Sequence, residues 1–428
     1  MVEIKPFNGL FYNKEKIKDF RFVVTPPYDV ISENEKKIFL ADSPYNMAHI
    51  LLPGDGSNKY ARAAELMKDW ISEGVLANDD EPCIYVYAQE YILKKYRKKP
   101  ITKVRKGFIA LAKIEDYDKK VILPHEKTLS KPKEDRSNLM KAVHANLGQL
   151  FMLYHDANGV VTQIIEAESK KEPYIEFTDA SGIKHTLWRI FDKVEIDNVR
   201  KEMADKKIYI ADGHHRYETA LNFSKEHPKI EEARYRMMTL INVDDEGLLV
   251  LPTHRLIYNL ENFDIKRLEE GLLKDFDLEI YEFDDTNEEF QRNKMLNRMK
   301  LRFKRHVFGM LCKGINKYYL VSLKDEKKIL NENVSKKLDV SILHSLILEK
   351  LLGIDAEALK TQKYVDYVKG DPEDALKLMN EKDYQIALFL NPTKINEVLD
   401  VADAGETMPQ KSTFFYPKLI SGLVMYKF

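Results

Sequence analysis

The stretch Ile208-Tyr209-Ile210-Ala211-Asp212-Gly213-His214-His215-Arg216-Tyr217-Glu218-Thr219-Ala220-Leu221-Asn222-Phe223-Ser224 decides how the rest of the chain is read. Ile208, Tyr209 and Ile210 read as a buried strand, Asp212 to Arg216 as a polar turn, and the remainder as a helix. Tyr217, Ala220, Leu221 and Ser224 fall on one helical face, with Glu218 and Asn222 turned away. A strand that passes through a glycine turn into a helix leaves N–H groups without partners at the helix start, where the macrodipole also favours negative charge. Gly213 permits a positive φ and close approach of a ligand, and Arg216 brings a planar fork suited to phosphate oxygens. A plainer reading has Asp212 capping the helix and His214 and His215 decorating the surface. Adjacent histidines suit one metal ion poorly, because ligands on one helix face sit three or four residues apart.

A chain of 428 residues exceeds one ordinary core. Composition shifts to charged amphipathic helix near residue 256, so the expected division is 1–255, carrying the Asp212–Arg216 turn, and a mixed α/β domain over 256–428. The net charge of −1 gives no electrostatic case for nucleic acid or an anionic membrane. Cys83 and Cys312 are the only cysteines, which excludes a disulfide framework and a cysteine zinc site and fits a reducing cytoplasm. The first residues do not read as a signal peptide, and no apolar run reaches the length of about 18 residues that a membrane span needs.

Further candidates lie on either side of the central turn. Pro26 and Pro27 fix φ ahead of a helix that Ser32 can cap, so their loop either presents Tyr28 and Asp29 rigidly or is a packed corner. The basic run 94–106 reads as a solvated hairpin tip before a strand over 107–114. Pro124-His125-Glu126-Lys127-Thr128 follows the strand 121–123, where functional groups collect, and a helix is expected over 135–146. Thr253-His254-Arg255 follows the strand 248–251 and either converges on the same anion or forms surface salt bridges. Near the end of the chain, Lys411, Ser412, Thr413 and Lys418 are interleaved with Phe414, Phe415 and Tyr416. They form either a wall that closes over an anionic ligand or a docked strand whose lysines reach water.

Together Pro26–Ile31, Pro124–Thr128, Ala211–Ala220, Leu251–Arg255 and Met408–Lys418 make the chain similar to a widespread family catalogued as domain of unknown function 1015. The Asp-Gly-His-His-Arg turn also resembles the phosphate loop of the ParB/sulfiredoxin superfamily, which includes free serine kinases. That resemblance implies an α/β fold of mixed α+β type, with a ParB/sulfiredoxin-like N-terminal domain. It implies ATP or ADP as donor, Mg²⁺ as cofactor and L-serine as acceptor. Asp212 would then serve Mg²⁺ or the serine hydroxyl, while Gly213, His214, His215 and Arg216 hold phosphates. Glu126, beside His125, stands in by role for an upstream acid. Thr253, His254 and Arg255 are expected to add to the phosphate site, and Tyr28, Asp29, Lys411, Ser412, Thr413 and Lys418 to the substrate site. The partners are thus a nucleotide and an amino acid, with a homodimer left open. Neither a Gly-x-x-x-x-Gly-Lys-Ser/Thr loop nor a Gly-x-Gly-x-x-Gly motif is present. Two alternatives stand beside a kinase: a metal-dependent phosphoesterase or nucleotide hydrolase using His125, His214, His215, Asp212 and Glu126, and a non-catalytic sensor of ParB type.

Overall fold

Ile208–Asp212 is an interior strand in the computed structural model, which describes residues 1–93, 100–128 and 130–428. It pairs in parallel with Ile122–Leu123 and antiparallel with Leu150–Tyr154. Ile208 and Ile210 join a core that includes Leu150, Met152, Tyr217 and Ala220. The sheet continues through Tyr235–Asn242, Ile101–Lys113, Ile84–Leu93, Lys184–Ile190 and Ile175–Thr178, with Ile4–Lys5 also paired to Ile101–Lys113. The short apolar runs of the sequence became these strands because helices and a second sheet cover them. Strand pairing starts earlier than expected on the basic side, since Leu93 already opposes Ile101 and Gln89 opposes Arg105. The cationic side chains hid a period-two strand there; Lys94–Lys99, the centre of the expected hairpin tip, lie outside the described residues.

The fold is mixed α/β and divides into two units. The first comprises Met1–Pro124, Thr128–Leu249 and Pro417–Phe428, and the second His125–Lys127 and Val250–Tyr416. The expected division after residue 255 misses the return of the chain to the first unit. That return is made by Ser421–Lys427, which lies between Leu10–Tyr12 and Ala145–Gly148 in a four-stranded sheet completed by Leu76–Asn78. Leu423, Val424 and Met425 are fully buried there, and burial of such side chains contributes roughly 1.5–3 kcal/mol each. Pairing with this strand also explains why the helix Ser130–Val143 ends before the expected Asn146: Ala145–Gly148 is needed as a strand. Ser32 does cap Glu33–Asp42, in a reciprocal box with Glu35.

The second unit carries a six-stranded antiparallel sheet in the order Phe276–Glu282, Lys317–Leu323, Val307–Cys312, Ile386–Leu390, Thr253–Ile257 and Val365–Lys369. The apolar segment after Leu338 runs as an α-turn, Asp339–Ile342, into a π-helix, Leu343–Glu349. Among the described residues, no helix is long and apolar enough to cross a membrane.

Candidate active site

The central turn is tighter than the sequence suggests. The strand runs through Asp212, the helix His214–Glu226 starts at once, and only Gly213 stands between them, at φ 102°. A Cβ at this position would lie 2.8 Å from Leu150 Cδ2 and 3.0 Å from Arg216 Nη2, so glycine is required twice over. Just before it, the register against Leu150–Tyr154 shifts between Ile210 and Asp212. An extra residue in one strand re-aims the side chain that follows.

Re-aimed in this way, the Asp212 carboxylate meets two cations. Oδ2 accepts from Arg216 Nη2 at 2.8 Å, and Oδ1 accepts from Lys418 Nζ. The first contact bridges the strand end and the first turn of the helix, and Arg216 is further fixed by donating from Nη1 to the Gln149 carbonyl at 2.6 Å. The Asp212, Arg216 and Lys418 side chains are 16, 12 and 14% exposed. Burial alone would raise the Asp212 pKa. The charges of Lys418 and Arg216, the Lys418 hydrogen bond and the charge of His214 override it and hold the carboxyl far below its usual range. Asp212 is therefore an anion at neutral pH and, so paired, a weak proton acceptor.

Lys418 reaches this place because its backbone is clamped. Gln89 Nε2 donates to the Lys418 carbonyl at 2.9 Å, and Arg105 Nη2 donates to the Pro417 carbonyl at 2.6 Å. Arg105 is 1% exposed, also bonds Gln89 Oε1, and lies 4.5 Å from the centre of the Phe151 ring. Sequence reasoning missed it by treating its basic neighbourhood as solvated. The available signal was parity, because Arg105 shares a strand face with Gly107 and Ile109, both of which face inward. On the Pro26-Pro27 loop, Tyr28 packs beneath the Arg136 guanidinium, 4.3 Å from ring centre to Cζ, whereas Asp29 faces solvent. His214 is buried, and His215 is partly exposed, its carbonyl accepting from Thr219 at 2.8 Å.

The other candidates belong to the second unit. His125 Nε2 lies 3.1 Å from Thr413 Oγ1, and the Glu126 backbone bridges to Met408. Thr253, His254 and Arg255 lie inside the strand Thr253–Ile257, where the sequence reading had expected a strand end. The phosphate role expected of His254 is corrected by its bonding. Its Nε2 donates to the Gly370 carbonyl at 3.1 Å, and its Nδ1 accepts from Leu390 N–H at 3.2 Å. Burial pushes its pKa down to about 4, so the ring is neutral and committed to the fold. Arg255 is likewise internal, donating to the Thr253 carbonyl and, at 3.3 Å, to the Lys411 carbonyl, with Tyr367 against its face. Ser412 is buried and donates to the Pro409 carbonyl, while Lys411 is exposed. Lys411, Ser412 and Thr413 belong to the second unit and Lys418 to the first.

Mg²⁺ fits this arrangement poorly. Both Asp212 oxygens are engaged by cations, and no three His, Cys, Asp or Glu side chains among the described residues form a group that could hold a metal ion. The metal-dependent hydrolase alternative meets the same obstacle.

A mixed α/β protein with a glycine turn opening a helix onto paired cations is the class that fold and site define. The chain belongs to the family described as Protein of unknown function (DUF1015), which matches residues 4–341. Among solved structures it is similar to a free serine kinase in complex with AMP, at 15% identity over 76% of this chain and 95% of that chain, with a TM-score of 0.32. A mutant of a free serine kinase in complex with ADP gives 15% identity, the same coverage and a TM-score of 0.36. A conserved hypothetical protein from Pyrococcus furiosus gives 16% identity over 70% of this chain and 91% of that chain, with a TM-score of 0.32. No curated protein matches the chain.

Proposed function

We propose that the protein is a small-molecule phosphotransferase. In this reading it binds nucleotide phosphate at the Asp212–Arg216 turn and passes a phosphoryl group to a hydroxyl, with ATP or ADP as donor and free L-serine as acceptor. The observation that carries the proposal is the Asp212 carboxylate held between Arg216 and Lys418 at the start of the helix His214–Glu226. Phosphoryl transfer asks little covalent chemistry of a protein; it asks for cations fixed where charge develops and a carboxylate near the attacking hydroxyl. Arg216, Lys418 and the Asp212 carboxylate, which meet at the start of that helix, support this reading. Without ligand, Asp212 acts as the counter-ion that keeps the two cations in place. Phosphate oxygens arriving at Arg216 and Lys418 would take over those hydrogen bonds, and the proton affinity of Asp212 would rise towards that of an ordinary carboxylate. The same contact thus positions the cations and releases the base only when donor is bound. The likeness of the turn to the ParB/sulfiredoxin phosphate loop supports nucleotide as the source of the phosphate.

Product analysis after incubation with L-serine and either ATP or ADP in Mg²⁺ buffer tests the proposal. Phosphoserine is expected from the wild type and not from Asp212→Ala, and the donor that yields it is the donor. Failure of either nucleotide to bind would refute the reading; nucleotide hydrolysis without phosphoserine would move the acceptor from L-serine to another hydroxyl or to water.

A further inference from the structure

Beside the turn, the first unit contains a small cavity to which the sequence motifs contribute Pro27, Tyr28 and Arg216. Its lining includes Arg136, Arg216 and Arg236 among apolar residues such as Leu139, Met140 and Leu147, and among the described residues it includes no Asp or Glu. Two of these cations are balanced elsewhere, Arg136 by Asp135 and Arg216 by Asp212. Among the described residues, Arg236 has no carboxylate partner. It is 4% exposed, its Nη2 donates to the Gly148 carbonyl at 3.2 Å, and its Nε and Nη1 meet no acceptor among those residues. Nearby in sequence to that carbonyl, Gln149 Nε2 is another buried donor without an acceptor among them. Burial first and then the Arg216 charge push Arg236 down to about 9, so it still carries its charge at neutral pH.

Buried N–H donors normally find acceptors, and an unbalanced buried cation is costly to a fold. A site that presents several donors and no anion is short of one thing, an oxyanion. The cavity measures about 50 Å³, and one water needs roughly 10–15 Å³ on the same measure, so a few heavy atoms fill it. A nucleoside does not fit; a single carboxylate or phosphate group does. The absence of any lining carboxylate argues against an ammonium entering beside it.

We infer that the cavity lined by Arg136, Arg216 and Arg236 is an oxyanion subsite, taking one carboxylate or phosphate group, with Arg236 as the residue committed to it. This holds whether or not the protein transfers phosphoryl groups. The subsite and the Asp212 turn share Arg216, so an anion in the cavity also restrains the arginine that Asp212 uses.

The test compares thermal shifts and calorimetric titrations with inorganic phosphate and with acetate, against chloride at equal ionic strength. Wild type, Arg236→Met, Lys418→Met and the cavity-filling Leu147→Phe are measured side by side. The expected result is stabilisation of the wild type by one of the two anions, which names the class of group bound. Its affinity falls at least tenfold in Arg236→Met and Leu147→Phe and survives in Lys418→Met. Retention of binding in Arg236→Met, or loss in Lys418→Met alone, would place the anion at the turn and overturn the inference, as would the absence of any anion effect on the wild type. If Arg236→Met does not fold, Leu147→Phe decides by the same criterion. Failure of the phosphotransferase proposal leaves every one of these outcomes readable, because none uses turnover.

Discussion

Replacing Lys418 by methionine removes one of the two cations on Asp212 while keeping most of the apolar stem. The pair is largely out of water, with side chains 14 and 16% exposed. Unit charges about 4 Å apart at an effective dielectric of about 20 attract by about 4 kcal/mol. Part of that offsets the desolvation of Lys418, which the substitution relieves. Arg216 stays on Asp212 at 2.8 Å, so the loss should fall below the 3–5 kcal/mol typical of an orphaned buried charge, at about 2 kcal/mol. For a unit of this size that is a drop of roughly 4–8 °C in the transition that reports the first unit. Scanning calorimetry of wild type, Lys418→Met, Asp212→Asn and the double variant closes a thermodynamic cycle. The double variant should lose less than the sum of the two single losses, since Asn needs no cation at Lys418 while Arg216 loses its partner in both Asp212 variants. Acid dependence gives an independent reading. The Asp212 pKa is lowered on folding, so its contribution is present above the unfolded value of about 3.9 and is lost as pH falls through the folded one; Asp212→Asn should flatten the acid limb. A Lys418→Met protein that melts within about 1 °C of wild type, with no coupling in the cycle, would refute the account of the turn.

Other consequences can be measured with single variants. Gly213→Ala must place a Cβ 2.8 Å from Leu150 at a φ of 102°, and should cost about 2 kcal/mol in urea unfolding together with any nucleotide binding. Arg105→Met removes the clamp on the Pro417 carbonyl; if Lys418 is placed by it, nucleotide affinity should fall about tenfold in calorimetric titration, while Asp19→Ala, far in sequence and half-buried, should leave affinity unchanged. His254 is held neutral with its pKa near 4. Its contribution is therefore full above the unfolded value of about 6.5 and lost as pH falls towards 4, up to about 3 kcal/mol. Melting curves between those limits should be flatter for His254→Asn than for wild type, whatever the level of its stability at neutral pH.

Much of this molecule can be read from local pattern. The strand Ile208–Asp212, the helix His214–Glu226 and the cap at Ser32 lie where apolar periodicity and capping residues put them. The turn at Gly213 was legible because a glycine between a buried strand and an amphipathic helix has few other uses. What local pattern does not carry is partnership over long separations. Nothing around Ser421–Lys427 says that it inserts between Leu10–Tyr12 and Ala145–Gly148, and the helix Ile395–Asp403 was passed over beside the more conspicuous aromatic segment that follows it. The burial of Arg105 and Arg236 was invisible for a related reason. A charged residue in a strand reads as solvated until the tertiary structure buries it, and only burial reveals which arginines lack a carboxylate. His254 failed in the opposite direction: beside Arg255 it looked like a ligand, and its two ring nitrogens turned out to tie adjacent strands together.

The contact between Asp212 and Lys418 spans 206 residues of chain. At a synthesis rate of about 5–20 residues per second, Lys418 is made roughly 10–40 s after Asp212. During that interval the Val250–Tyr416 part of the second unit is being produced, and the first has neither its strand Ser421–Lys427 nor its second cation. A nascent chain halted anywhere between the two residues can therefore hold a formed glycine turn and still lack half of its charge clamp. Completion of the two-cation contact on Asp212 becomes a late event in the life of each molecule, timed by the ribosome's passage through the intervening chain.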